Sequence, residues 1–369
     1  MVATPYFPSN NPAYSPGSVS TYSSDIISTH SASTQSTIPP SNYNTCRFHT
    51  NGMNMQCMDC LVLAGYVLPP LNPYMVSGPA PEPMGPNNMF SSHEETYMHK
   101  MRFALQEMDR QHNFVPDGSF LDLGCCPGGF STYILGKYPN TRGMGISLPI
   151  EHGGHSLAVP LNLRDRLQVH WADITMFDHA PSLVQGFWDT SIFQTSPIPK
   201  RAFDFVIVDG HQPPCMLVDD PRALWSRDRL LVSQLLAALG AIKPTGTLFA
   251  KLSLQVSVPL MERIVLALSR LTPFPIRAVK PTSIYATAGT FYVLLYAPNP
   301  LQCFRLIRIL EGLWYFMTFS GPNGFGRRLT DSDMDQIATY PDVLRAKPGL
   351  NMLFQPIEEI RKAAKASGL

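Results

Sequence analysis

Two side chains of opposite charge each close an apolar run that reads as a buried strand: Asp209 ends Phe203-Asp-Phe-Val-Ile-Val-Asp209, and Lys251 ends Gly246-Thr-Leu-Phe-Ala-Lys251. An ammonium and a carboxylate held together could grip a hydroxyl, lower its effective pKa and steady its oxygen as alkoxide character develops. Either residue alone says little, because an Asp after a strand is usually a cap or turn former and a lone Lys is usually solvated. Upstream, Phe120-Leu-Asp-Leu-Gly-Cys-Cys-Pro-Gly-Gly-Phe130 sets an acid, Asp122, and glycines 124, 128 and 129 at the end of another apolar strand. Glycines there permit unusual backbone angles and let a ligand approach the main chain, which suits a nucleoside cofactor on a strand-to-helix loop. The turn is not a phosphate-binding P-loop, since it lacks the Lys and Pro127 offers no N–H. Its G-x-x-x-G-G spacing also departs from the dinucleotide pattern G-x-G-x-x-G.

These residues need a scaffold that brings strand ends together. Residues 92–112 carry Tyr97, Met101, Ala104, Leu105 and Met108 at helical spacing, and a helix is expected to open at Gly128 or Gly129. Strands are expected at 119–123, 142–147, 167–171, 203–208, 246–252 and 290–297, with a helix over 222–242 whose leucines form one wide face. Such alternation predicts a doubly wound, largely parallel α/β sheet, in which ligands bind beyond the carboxyl ends of the strands.

The string DLGCCPGGFSTYIL is similar to the D-L-G-x-x-P-G-G-[WF]-S motif of the FtsJ-type, S-adenosylmethionine-dependent ribose 2′-O-methyltransferases, and the resemblance extends over residues 93–300. It implies a Rossmann-like seven-stranded sheet with helices on both faces, S-adenosyl-L-methionine as cofactor, and methyl transfer to an RNA ribose 2′-hydroxyl in rRNA or an mRNA cap. Asp209 and Lys251 resemble the Asp and second Lys of that family's Lys-Asp-Lys-Glu tetrad, and Lys100 is the best match to the first Lys. Lys280-Pro281 and Tyr292 keep the register of the last strand, but Thr290 stands where the Glu belongs, and the arginines often found between these landmarks are missing. On the cofactor side, the resemblance assigns Gly124, Pro127, Gly128, Gly129 and Phe130 to the methionine and sulfonium end, with Asp122 supporting the loop or the amine, and includes Asp209. Asp173 matches the acid that accepts from the adenine amine. Ser147 stands where an acid normally receives the ribose hydroxyls, and Glu151 is a substitute within reach. With acids absent at 147 and 290, a catalytically weak binding module and a methyltransferase for a non-RNA acceptor are the alternative readings.

Beyond that stretch, residues 1–45 contain no Lys or Arg and are rich in Ser, Thr, Pro, Asn and Tyr, so they are expected to be disordered. Cys46, His49, Cys57 and Cys60 form C-x2-H-x7-C-x2-C, which fits one structural, tetrahedral Zn²⁺ and equally fits reduced thiols beside a surface His. Residues 61–92 read as a Pro-rich linker, in keeping with 35 prolines in 369 residues. Residues 301–369 read as a helical, packing extension, because Arg327 and Arg328 sit among nearly balanced charges. Cys125, Cys126, Cys215 and Cys303 are expected as buried thiols. A net charge of +1 gives no global footprint for nucleic acid, so an RNA partner must be met by a local patch. No run is long enough to span a bilayer and no signal-like start is present, so residence in the nucleus or cytoplasm is expected.

Overall fold

The computed structural model describes residues 92–183, 193–212, 223–321, 324 and 326–368. The predicted disordered segment, the Cys46/His49/Cys57/Cys60 cluster, most of the linker, Cys215, Pro322, Asn323 and Phe325 lie outside the described residues.

Seven strands form one sheet in the order β3-β2-β1-β4-β5-β7-β6. They are β1 (Phe120–Leu123), β2 (Gly143–Ser147), β3 (Leu167–Trp171), β4 (Phe203–Val208), β5 (Ile242–Ser253), β6 (Arg277–Val279) and β7 (Thr290–Tyr296). The first five are parallel, whereas β7 runs antiparallel to β5 and β6. β6 went unread in the sequence because Arg-Ala-Val is too short to show an alternation. β5 begins four residues earlier than expected, at Ile242, and carries a register shift opposite β4.

Two-residue periodicity divides the sheet's side chains between two cores. Leu121, Leu123, Val206, Val208, Leu248, Ala250, Val293 and Leu295 point to one face, where they meet α4 (Ala223–Ala241), α5 (Val258–Ser269), α6 (Pro300–Phe319) and α8 (Tyr340–Ala366). Phe120, Phe205, Ile207, Phe249, Tyr292 and Leu294 point to the other, covered by α1 (Ser92–His112) and α2 (Gly129–Lys137). The short α3 (Leu161–Arg164) and α7 (Asp331–Met334) complete the helices named here. α6 and α8 share the first core: Trp314 is fully buried, and Trp225 Nε1 donates to the Met317 carbonyl at 2.9 Å. Arg327 makes a two-pronged ion pair with Asp333 and lies over the Phe316 ring, so it is engaged in packing. Cys125, Cys126 and Cys303 are buried thiols, as expected. Among the described residues no helix is long and apolar enough to cross a membrane.

Candidate active site

The strand order changes direction between β1 and β4, which places a crevice beyond their carboxyl ends. The turn after β1 and the Asp209-Gly210 pair after β4 close upon each other there. A Cβ added to Gly124 would lie 2.3 Å from the Gly210 Cα, and Gly124 and Gly128 have φ of 83° and 106°, so both need glycine. Gly129 differs from expectation: its φ is ordinary, and its missing Cβ instead admits Met101 and the Met98 carbonyl, which would stand 2.5 and 2.6 Å away. That glycine seats α1 against α2. α2 opens at Gly129 with Gly128 as its N-cap, so its first amides lack intrahelical acceptors.

Asp122 lies beneath this turn. Its Oδ2 accepts from the Ser131 hydroxyl at 2.7 Å, and complete burial raises its carboxyl from 3.8 to about 7, with the nearby Asp209 charge adding to the effect. Phe130 turns its ring into the second core, 5.9 Å from both Phe249 and Tyr292, so its side chain packs there and it offers the turn its backbone. Ser147 is buried at the end of β2, and among the described residues its hydroxyl has no partner. Asp173 caps a 3₁₀ turn, Oδ1 accepting from Thr175 N and Oγ1 at 2.8 Å each, which leaves Oδ2 without a partner among the described residues. Glu151 is exposed on a separate 3₁₀ turn, Ile150–His152.

Asp209 and Lys251 come together. Lys251 Nζ is 3.0 Å from Asp209 Oδ1 and donates a short hydrogen bond to the Asp209 carbonyl. Tyr292 donates to the same Oδ1 at 2.8 Å, while its ring stacks on Phe249 at 4.3 Å. Gln234, buried in α4, fixes the next peptide by accepting from Gly210 N at 2.8 Å and donating to Gly210 O at 3.2 Å. In the β5–β7 pairing Lys251 is opposite Tyr292 and Ser253 opposite Thr290, so Thr290 projects on the same face as Lys251. Lys100 is not drawn in: it is exposed on α1, and among the described residues no contact joins it to Asp209 or Lys251. The α1 side chain that approaches this site is Tyr97, one turn earlier, whose hydroxyl lies 2.7 Å from that of Tyr285. His211, two residues past Asp209, is pushed down to about 4, by burial first and then by the Lys251 ammonium. Neither Tyr97, Tyr285 nor His211 was marked by motif; their places follow from chain crossings that a local pattern does not encode.

Residues 98–265, which hold the turn, Asp209 and Lys251, match the model of the FtsJ-like methyltransferase family. Over this stretch the chain is similar to the FtsJ-like methyltransferases. A rRNA methyltransferase 2, mitochondrial, of Caenorhabditis elegans is 29% identical over 102 residues, covering 24% of this chain and 47% of that protein. The chain thus spans less than half the length of this relative. Among solved structures, the pyocyanin biosynthetic protein PhzM is 16% identical with a TM-score of 0.31, over 53% of this chain and 54% of that one. A protein of Methanococcus maripaludis assigned as an S-adenosyl-L-methionine-dependent methyltransferase is 11% identical with a TM-score of 0.33, over 55% of this chain and 87% of that one.

The donor set of the FtsJ-like domain fits the nucleoside cofactor that this family implies. Open amides at the start of α2, an unengaged hydroxyl at Ser147 and the free Oδ2 of Asp173 lie at the ends of neighbouring strands β1, β2 and β3. Asp173 can accept from an exocyclic amine, and Ser147 can both give and accept a hydrogen bond.

Proposed function

We propose that the FtsJ-like domain transfers a methyl group from S-adenosylmethionine to a ribose 2′-hydroxyl of RNA, with ribosomal RNA favoured by the name of the worm relative. The bound cofactor supplies an electrophilic methyl on a sulfonium. Gly128, Gly129 and Pro127 carry the turn that receives its methionine end, Asp122 supports that turn, Ser147 meets the ribose and Asp173 the adenine amine.

The Asp209–Lys251 pair carries the proposal. Lys251 Nζ has three N–H bonds, of which two go to the Asp209 carbonyl and Oδ1. The third is available to the acceptor oxygen, where it stabilises developing negative charge. Tyr292 and Lys251 both occupy Oδ1, so Asp209 Oδ2 is the acceptor for the hydroxyl proton. Thr290, on the same face, contributes a neutral hydroxyl where a carboxylate would add charge.

Titration calorimetry with S-adenosylmethionine should show binding by the folded full chain. Transfer of labelled methyl to ribosomal RNA should be lost in Lys251→Ala and Asp209→Ala while cofactor binding by the Lys251 variant persists. Transfer that survives both substitutions would refute the assigned roles.

A further inference from the structure

Four aromatic side chains from separate segments gather beside Asp209 and Lys251. Tyr97 on α1 and Tyr285, in the loop before β7, share a hydroxyl contact of 2.7 Å. The Tyr97 ring is 6.2 Å from that of His155, which is in turn 6.4 Å from the ring of His211. Tyr97, His155 and Tyr285 are half-buried, and His211 is the most exposed of the four. Both phenols have their pKa raised, chiefly by partial burial and further by the Asp209 charge.

The loop that presents Tyr285 is held in place from several sides. Tyr285 has a φ of 58°, in the left-handed region that non-glycine residues avoid and that persists only where surroundings over-determine it. Lys280, buried beneath the loop, donates to the carbonyls of Tyr285, Ala288 and Thr290 at 2.6, 2.9 and 2.6 Å. Glu107 on α1 accepts from the amides of Thr282 at 2.8 Å and Ser283 at 3.2 Å. A strained backbone tied down on both flanks serves to aim a side chain. The segment Ser283-Ile-Tyr-Ala-Thr-Ala-Gly289 has no cation with which to grip phosphate, and the phenols offer ring faces and hydroxyls instead.

We infer that this aromatic rim is the platform for the base of the acceptor nucleotide, which must therefore be unpaired: its base lies against Tyr97 and Tyr285 while its ribose reaches Asp209 and Lys251. Single-stranded RNA is commonly held by stacking on aromatic side chains, and a base inside a duplex has no free face to offer. The ribose placement rests on the methyltransferase reading; the base platform rests on the rings.

The test uses the full chain and a fluorescein-labelled, unstructured RNA hexamer, alone or annealed to its complement, read by fluorescence anisotropy. The single strand should bind at least about tenfold more tightly than the duplex. Tyr285→Ala and Tyr97→Ala should each weaken it roughly five- to a hundredfold, the range for loss of one stacked base, whereas Tyr285→Phe should keep most of the affinity. The slope of log K against log salt should be no steeper than about −2, corresponding to roughly three phosphates on a single strand. Equal binding of duplex, unchanged affinity in both alanine variants, or a steeper slope would each overturn the proposal. Melting curves identify any variant that fails to fold, and the partly exposed His155→Ala, expected to weaken the single strand by a smaller factor, then decides. Calorimetry with S-adenosylmethionine separates the two readings: cofactor binding with no effect of the alanine variants removes the rim alone, and rim-dependent RNA binding without cofactor binding removes the methyltransferase alone.

Discussion

Asp122→Asn isolates an electrostatic load carried by the candidate site. The Asp122 carboxyl is completely buried, and its pKa rises from 3.8 to about 7, through burial first and with the Asp209 charge adding to it. The folded state therefore holds a proton that the unfolded chain releases between these two values. Stability from this group is fully present below pH 3.8 and is lost as pH rises through 7. The difference between the two values corresponds to about 4 kcal/mol. Asparagine keeps an oxygen for the Ser131 hydroxyl, so the bond now made at 2.7 Å survives, and its amide introduces only a pH-independent offset. Urea unfolding of both proteins in steps from pH 4 to pH 8 should show the variant gaining on the native chain by about 4 kcal/mol across the window. Other titrating groups, such as Asp109 beside Lys137, are common to both proteins and cancel in the difference. Parallel stability profiles would refute the buried, protonated carboxyl. A cationic ligand amine near Asp122 would reverse the load, so cofactor binding at pH 6.5 should release protons in the native chain and fewer in the variant, measured by calorimetry in buffers of different ionisation enthalpy.

Gly124→Ala should destabilise the domain by about 2 to 6 kcal/mol, as the new Cβ would meet the Gly210 backbone at 2.3 Å from a residue with φ of 83°, and backbone strain and overpacking each cost about 1 to 3 kcal/mol; thermal melting checks this, and a near-native melting temperature would contradict the close approach. Tyr292→Phe keeps the 4.3 Å stack on Phe249 but removes the hydroxyl from Asp209, and should cost about 2 kcal/mol in urea unfolding while slowing methyl transfer more than it changes KM for RNA. Trp314→Ala should cost about 3 to 5 kcal/mol, because its side chain is fully buried where α6 joins the first core, and unfolding should remain one cooperative transition if the C-terminal helices belong to that core.

What the sequence disclosed depended on how local the determinant was. The turn 120–130 was legible because consecutive residues set its backbone: glycines at 124 and 128 supply positive φ, and the apolar run before them makes β1. Asp209 and Lys251 were legible as strand ends, and a parallel β4–β5 pair places such ends side by side without further information. The helix Ser92–His112 followed from its periodicity alone. Lys100 is not fixed by so local a determinant. It has the right chemistry and lies on the right helix, but a three-residue difference in register turns Tyr97 toward the site and leaves Lys100 in water. Helical spacing predicts which residues share a face, not which of the residues at its border reaches a neighbour on another segment.

The loop between Lys280 and Thr290 makes the same point in reverse. In the sequence it is defined by what it lacks, the arginines and the Glu of a familiar pattern. In the fold, Lys280 is a buried ammonium with three backbone acceptors, and burial, then Arg361, push it down to about 8. A surface lysine would need none of those acceptors, so its chemistry here is to fix the main chain that carries Tyr285. Lost charge at 285–290 is thus replaced by a rigid aromatic presentation. A site built this way should choose its RNA by access to an unstacked base more than by phosphate contacts, in keeping with a chain whose net charge is only +1.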